Sequence, residues 1–234
     1  MKDEAKKRKA QRDSLRKQFQ ENGEDSLSDH DLLEMLLSYC NPRQDTDALA
    51  TQLLDFCGSF DNVCDLSVQS MNDFGLSFST MTFLQLLPAF CSRYYTDISH
   101  QLMKETPLKG TETIGKYLFP YFIGKKEEHV LLLLLNDKDK ALYCGFVSKG
   151  TLFSSDINFN GILQLAAKHR AYRVVMAHNH PSGIALPSKK DIDTTIRIQH
   201  ALNIMHIKLK DHYIFGNNNF CAMSTVKTFQ DIFT

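Results

Sequence analysis

The feature that most constrains the fold is an unbroken apolar run from Val130 to Leu135, which ends in the turn sequence 136–139 (Asn-Asp-Lys-Asp). A run this short cannot span a membrane, and turn residues at its end are typical of a strand. A second apolar run resumes at 141–147. The two runs therefore predict a β-hairpin.

Helical and strand patterns alternate after this hairpin. Residues 159–169 and 188–202 have the spacing of helices. Short β-rich runs are found at 172–177, 207–210, 213–215 and 220–223. We therefore expect residues 114–234 to form an α/β domain with a mixed sheet flanked by helices.

Residues 19–100 have the pattern of a small all-helical domain. Ser28 is placed to cap one helix, and Asp45 or Thr46 to cap the next, which should stop at Gly58. A mixed α/β domain preceded by an all-α domain is the predicted fold class.

A long apolar helix is predicted from Ser79 to about Tyr95, and Pro88 should kink or split it. Residues 101–113 contain proline and glycine without clear periodicity. We interpret them as the linker between the two domains.

The formal net charge of zero hides a partition along the chain. Residues 1–18 carry 8 basic and 3 acidic residues, a net of +5; residues 19–100 carry 2 and 13, a net of −11; and residues 101–234 carry 17 and 11, a net of +6. The balance argues against a protein that is basic along its whole length. The basic lead-in at 1–18 is interpreted as a surface helix in preference to a nucleic-acid arm.

The N-terminal sequence lacks an apolar core of signal-peptide length, and the six cysteines include no CxxC pair. Such cysteines are typical of reduced thiols rather than of a disulfide framework or a cysteine zinc site. We expect a soluble cytoplasmic protein without a membrane segment.

The chemistry is concentrated in residues 177–191, between an apolar strand and a helix. His178 and His180 are two residues apart, so both imidazoles leave one face if the strand continues through them. Asp191 falls in the first turn of the next helix, and two imidazoles with one carboxylate leave an open position on a tetrahedral metal. The plain alternative is that Ser188 and Asp191 form a helix capping box and that each histidine is structural.

This spacing, H-x-H, seven residues, S, two residues, D, resembles the metal signature of the JAMM (MPN) metallopeptidases. The fuller string at 178–191, followed by Lys210-Asp211-His212, resembles the RadC family in particular. The resemblance implies a JAMM-like mixed sheet preceded by a helix-hairpin-helix-like domain. No H-E-x-x-H motif is present, which argues against a helical zincin.

The resemblance also implies roles. His178, His180 and Asp191 would ligate zinc (Zn²⁺), and Ser188 would donate a hydrogen bond to the oxyanion. Glu128 would be the general base toward a water activated by the metal. The residues alone do not distinguish Glu128 from the neighbouring Glu127.

Two departures from the family pattern qualify these expectations. In the hairpin turn Phe74-Gly75-Leu76-Ser77, serine replaces a second glycine, and Phe159-Asn160-Gly161 replaces a Pro-Arg-Glu sequence. A zinc metallopeptidase or isopeptidase acting on a peptide or protein is the leading hypothesis. The alternatives are a DNA-repair accessory that binds DNA and a metal-stabilised interaction module with little turnover.

Overall fold

The computed structural model describes residues 2–103, 106–149, 159–217 and 219–233. The helices are α1 (Lys2–Asn22), α2 (Asp29–Cys40), α3 (Thr46–Cys57), α4 (Phe60–Cys64), α5 (Val68–Asp73), α6 (Phe78–Met103), α7 (Thr111–Phe122), α8 (Phe159–Lys168) and α9 (Lys189–Ile204). The strands are β1 (His129–Leu135), β2 (Ala141–Lys149), β3 (Arg173–Asn179), β4 (Lys208–Gly216) and β5 (Asn219–Ala222). Short 3-10 helices lie at Glu24–Ser26, Met223–Thr225 and Lys227–Phe233. Among the described residues, no helix has the length and apolar character needed to cross a membrane.

The chain divides into two compact units, Met1–Phe90 and Cys91–Thr234, and the division falls inside α6. It therefore comes earlier than the linker expected at 101–113, where α6 still continues to Met103 and α7 already begins at Thr111. Pro88 does not split α6, because proline removes only one backbone donor from a helix of 26 residues.

Helix caps in the first unit follow the sequence signals. The Ser28 hydroxyl accepts from the Asp31 N–H in a capping box at the start of α2. Asp45, rather than Thr46, caps α3, and α3 ends at Gly58 in the left-handed conformation. These helices enclose a small apolar core that includes Leu33, Leu37, Ala50, Leu53, Val63, Met71 and Leu84.

Helix α1 packs on the first unit through one face. Arg12 and Leu15 are buried, and the Arg12 guanidinium donates to the carbonyls of Asn41 and Pro42 at the end of α2. A cation at this position is favourable, because the last carbonyls of a helix carry partial negative charge.

Ser77, which stands where a second hairpin glycine was expected, caps α6. Its hydroxyl oxygen accepts from the Thr80 N–H at 3.2 Å, and the Thr80 hydroxyl donates to the buried Asn41 amide oxygen at 3.1 Å. This N–H is thus engaged inside the protein, whereas a helix-hairpin-helix turn would present such donors to a phosphate.

The second unit is built on a five-stranded mixed sheet with the order β2-β1-β3-β4-β5. β1 is antiparallel to β2 and β3, β3 is parallel to β4, and β4 is antiparallel to β5. The predicted hairpin and the mixed α/β fold class are confirmed. The two strands expected at 207–210 and 213–215 are one continuous strand, β4.

Both faces of the sheet are covered, which explains the uninterrupted apolar sequence of β1. On one face, the even-numbered leucines of β1 pack with Ile162 of α8 and with Ile198 and Leu202 of α9. On the other face, the odd-numbered leucines pack against Ile114 and Leu118 of α7.

A β-bulge interrupts the pairing of β3 with β4. Val174 lies opposite Leu209 but Val175 lies opposite Asp211, so Lys210 is an extra residue in β4. The extra residue shifts the alternation of side chains, and Leu209 and Ile214 consequently face the same core. His212, two residues before Ile214, is turned to this face as well.

Candidate metal centre

Three side chains converge where β3 leaves the sheet. His178 is the second-last residue of β3, His180 directly follows the strand, and Asp191 is in the first turn of α9. The two Nε2 atoms are 2.9 Å apart. His178 Nε2 lies 3.2 Å from Asp191 Oδ1, and His180 Nε2 lies 3.4 Å from Asp191 Oδ2.

The loop after β3 has a fixed shape that orients His180. Its N–H donates to the Phe215 carbonyl at 2.8 Å, and the Gly183 N–H closes a turn on the His180 carbonyl. Gly183 has a φ of 83°, and a Cβ there would lie 2.0 Å from the Asn217 amide oxygen, so only glycine fits. His180 Nδ1 lies 2.8 Å from the Ile184 carbonyl, which can only accept, so the lone pair is on Nε2.

Asp191 serves the helix cap and the cluster at once. Its Oδ2 accepts from the Ser188 N–H at 2.7 Å, and its own N–H donates to Ser188 Oγ at 3.2 Å. Its Oδ1 is buried and no group donates a hydrogen bond to it, although His178 Nε2 is 3.2 Å away. The capping box and a ligand role therefore use different oxygen atoms of the same carboxylate.

This donor set fits a divalent metal. Ligand atoms bound tetrahedrally to zinc at 2.0–2.1 Å are about 3.3 Å from one another, close to the separations in this cluster. A buried carboxylate oxygen without a hydrogen-bond donor facing an imidazole lone pair calls for a cation between them. Two imidazoles and one carboxylate suit zinc.

Burial is uneven across the cluster. The side chains of His178 and Asp191 are fully buried, whereas that of His180 is 18% exposed. A ligand from solvent would therefore approach on the His180 side.

The charges of the cluster reinforce one another. Burial by itself would raise the pKa of Asp191, but the two imidazoles of His178 and His180 beside it and the hydrogen bond from the Ser188 N–H hold that pKa below its usual range. The carboxylate is therefore ionised. The nearby carboxylate in turn raises the pKa of His180 against the opposing effect of burial, and the charge of Glu128 acts in the same direction.

The structure separates the two neighbouring glutamates. Glu127 is exposed and pairs with Lys149 at 3.2 Å. Glu128 is half-buried, and its charge acts on His180. Of the two glutamates, Glu128 is therefore the one whose charge acts on the cluster.

Asn179, between the two histidines, is a positioning side chain that the sequence did not predict. Its amide oxygen accepts from the His129 N–H at 2.8 Å, and its amide nitrogen donates to the Glu127 carbonyl at 3.0 Å and the Lys125 carbonyl at 3.2 Å. Asn179 thus holds the backbone on both sides of Glu128 against β3. A strand position between two candidate ligands carries no sequence signal for this role.

Two further side chains behind His178 were not predicted. His212 Nε2 is 2.9 Å from His178 Nδ1, and the Thr195 hydroxyl is 2.7 Å from His212 Nδ1. Both are completely buried, and the two ring nitrogens of His212 contact another imidazole and a hydroxyl rather than a carboxylate, so burial keeps this imidazole neutral. Lys210-Asp211-His212 belonged to the family resemblance, but only the bulge turns His212 toward the cluster.

The departure at 159–161 has a packing explanation. Phe159 opens α8, and the Arg197 guanidinium of α9 lies over its ring at 4.5 Å. The position joins two helices by a cation–π contact. Residues 150–158 lie outside the described part of the chain.

Comparison with known proteins adds the family context. The model of the RadC-like JAB domain matches residues 108–228, a segment that contains every residue of the cluster. A UPF0758 protein of Carboxydothermus hydrogenoformans is 33% identical over 218 residues, which cover 92% of this chain and 94% of that protein. A UPF0758 protein of Fusobacterium nucleatum is 31% identical, with 89% and 92% covered, and one of Staphylococcus aureus is 29% identical, with 89% and 94% covered.

Proposed function

Because this chain belongs to the family of proteins with a RadC-like JAB domain, we propose that its His/His/Asp cluster is the zinc centre of a metallopeptidase or isopeptidase. The membership confirms the family resemblance predicted from the sequence. The observation that carries the proposal is the buried Asp191 Oδ1, which faces His178 Nε2 without a hydrogen-bond donor.

His178, His180 and Asp191 would hold the metal. A zinc ion bound there would polarise the amide carbonyl and lower the pKa of a coordinated water toward neutrality. Glu128, whose charge acts on the partly exposed His180, would take a proton from the attacking water and return it to the leaving amine nitrogen. Water and an amide thereby give a carboxylic acid and an amine.

Ser188 would stabilise the developing oxyanion. Its oxygen accepts the Asp191 N–H in the capping box, which leaves its O–H proton able to donate outward. The side chain is exposed and stands at the N-terminus of α9, where the helix dipole also favours negative charge.

Zinc analysis of the purified full chain tests the proposal. We expect stoichiometric zinc in the wild type and its loss in His178→Ala, because two remaining ligands hold the ion weakly. His200→Ala is the matched control, since His200 is an exposed histidine of α9 outside the cluster. Elemental analysis is the measurement, and equal zinc in His178→Ala and wild type would contradict the proposal.

A specific observation also supports a second function, binding to nucleic acid. The first unit contains a cavity of about 380 Å³ whose lining is mostly basic. It is lined by five basic residues and one acidic residue together with Ser38 and Pro42. The charged residues are Arg8, Lys9, Arg12, Asp13, Arg16 and Arg43. Arg12 and Arg16 have partners inside the protein, whereas Lys9 and Arg43 are exposed. The acidic remainder of the helical unit opposes a polyanion, so we expect binding only at low salt.

The double variant Lys9→Gln/Arg43→Gln tests this second function. Loss of two phosphate contacts should lower the slope of log K against log salt concentration by about 1.8. Binding of a short DNA duplex, followed by fluorescence anisotropy across a salt series, is the measurement. Lys227→Gln, an exposed lysine of the other unit, should behave like wild type; the absence of binding at low salt would exclude the function.

A further inference from the structure

A chain of hydrogen bonds extends from the cluster into the core of the second unit. It begins at His178 Nδ1, passes through both nitrogens of His212, and reaches the Thr195 hydroxyl, which lies 2.6 Å from the Asp191 carbonyl. His178, His212 and Thr195 are each 0% exposed. The chain therefore starts behind one candidate ligand and returns to the backbone of another.

The Asp191 carbonyl, at the end of this series of hydrogen bonds, determines which atom is the donor in each of them. Two oxygen atoms 2.6 Å apart need a proton between them, and a carbonyl has none, so the Thr195 O–H donates to Asp191. Thr195 Oγ1 then accepts from His212 Nδ1–H. In a neutral imidazole the other nitrogen is an acceptor, and His212 Nε2 consequently accepts from His178 Nδ1–H.

We propose that His212 and Thr195 are positioning residues that hold His178 in the one tautomer whose Nε2 lone pair points at the metal. The inference rests on the proposed zinc centre. If His212 Nε2 were instead the donor to His178 Nδ1, His178 would carry its proton on Nε2. That proton would point at His180 Nε2, only 2.9 Å away, and His178 could not bind an ion there.

Hydrogen bonds to the Asp211 side chain fix the backbone of His212, in addition to the bonds that fix its ring. Asp211 Oδ1 accepts from the His212 N–H at 2.8 Å and from the Ser224 N–H at 3.0 Å. Asp211 Oδ2 accepts from the Ser224 hydroxyl at 2.6 Å. These bonds fix the strand immediately after the bulge at Lys210, and the imidazole of His212 therefore keeps its place behind His178.

Thr195→Val removes the hydroxyl and keeps the branched shape of the side chain. We expect a loss of zinc affinity of about 10-fold, the lower end of the range for removal of the direct partner of a ligating imidazole, because Thr195 acts on His178 through His212. Thr195→Ser restores the hydroxyl and should recover most of the affinity. Thr194→Val is the matched control, since Thr194 is a neighbouring buried threonine of α9 outside the chain of hydrogen bonds.

Two readouts test the inference. Zinc affinity is measured by competition with a chromophoric chelator. The histidine tautomers are measured by long-range ¹H–¹⁵N NMR on the metal-free full chain, in which wild-type His178 should carry its proton on Nδ1, and this needs no variant to fold. A proton on Nε2 of His178, or equal zinc affinity in Thr195→Val and Thr194→Val, would overturn the inference. A wild type that binds no zinc would instead overturn the proposed function.

Discussion

Replacing Glu128 with glutamine should lower peptide hydrolysis by about 10²- to 10⁴-fold and leave the zinc content unchanged. The amide has nearly the shape of the carboxylate, but it cannot take the proton from the attacking water. Glu128 is outside the set of ligand atoms that converge between β3 and α9, so the ion should stay bound. The measurement is the cleavage rate across a library of internally quenched peptides, with zinc analysis of the same samples.

The neighbouring residue supplies the control. Glu127→Gln makes the same chemical change one position earlier, where the carboxylate is exposed and pairs with Lys149. Because surface ion pairs contribute little, this variant should cleave at the wild-type rate. Loss of activity in Glu127→Gln but not in Glu128→Gln would reverse our assignment, and equal near-zero rates in all three proteins would favour the metal-stabilised interaction module.

Removal of zinc should destabilise the second unit. An ion that binds only the folded protein adds about 2.7 kcal/mol to the free energy of unfolding when its free concentration is a hundred times Kd. For a unit of this size, a chelator should therefore lower the midpoint of thermal unfolding by about 5–10 °C. The effect should be confined to the second unit, because the proposed ligands lie at the end of β3 and in the first turn of α9.

Hydrogen exchange on the full chain measures where the change occurs. Amides of β3 and α9 should exchange faster after chelation, while those of α2 and α3 keep their rates and act as an internal reference. In His178→Ala the chelator should have no effect on either unit. Faster exchange in both units, or the same chelator response in His178→Ala, would contradict a zinc centre at this cluster.

The parts of this structure that could be predicted depend on local rules. Ser28 and Asp45 cap their helices because a side-chain oxygen reaches an N–H three residues on, and such a contact can be inferred from spacing alone. The hairpin of β1 and β2 follows from an apolar run, a turn and a second run. His178, His180 and Asp191 come together because the loop at 180–188 joins the strand directly to a capped helix.

The parts that could not be predicted depend on contacts between distant segments. Strict alternation along β4 from Leu209 would direct Asp211, not His212, to the face of the cluster, and the bulge that changes this has no signal in the sequence. Asn179 acts on a segment 50 residues away. The distinction between Glu127 and Glu128 likewise required the structure, in which Glu127 pairs with Lys149 at the end of β2 and the charge of Glu128 acts on His180.

Under the proposed function, Ser188 and Asp191 would serve both the active site and a helix cap. If related chains lost the activity, their site residues would therefore not all be lost at the same rate. Substitution of either residue removes a helix cap, a cost of about 1 kcal/mol that selection for folding opposes even when hydrolysis is no longer needed. Glu128 precedes β1 and has no part in that cap. In related chains, the identity of this glutamate is therefore the better indicator of whether selection still maintains an enzyme.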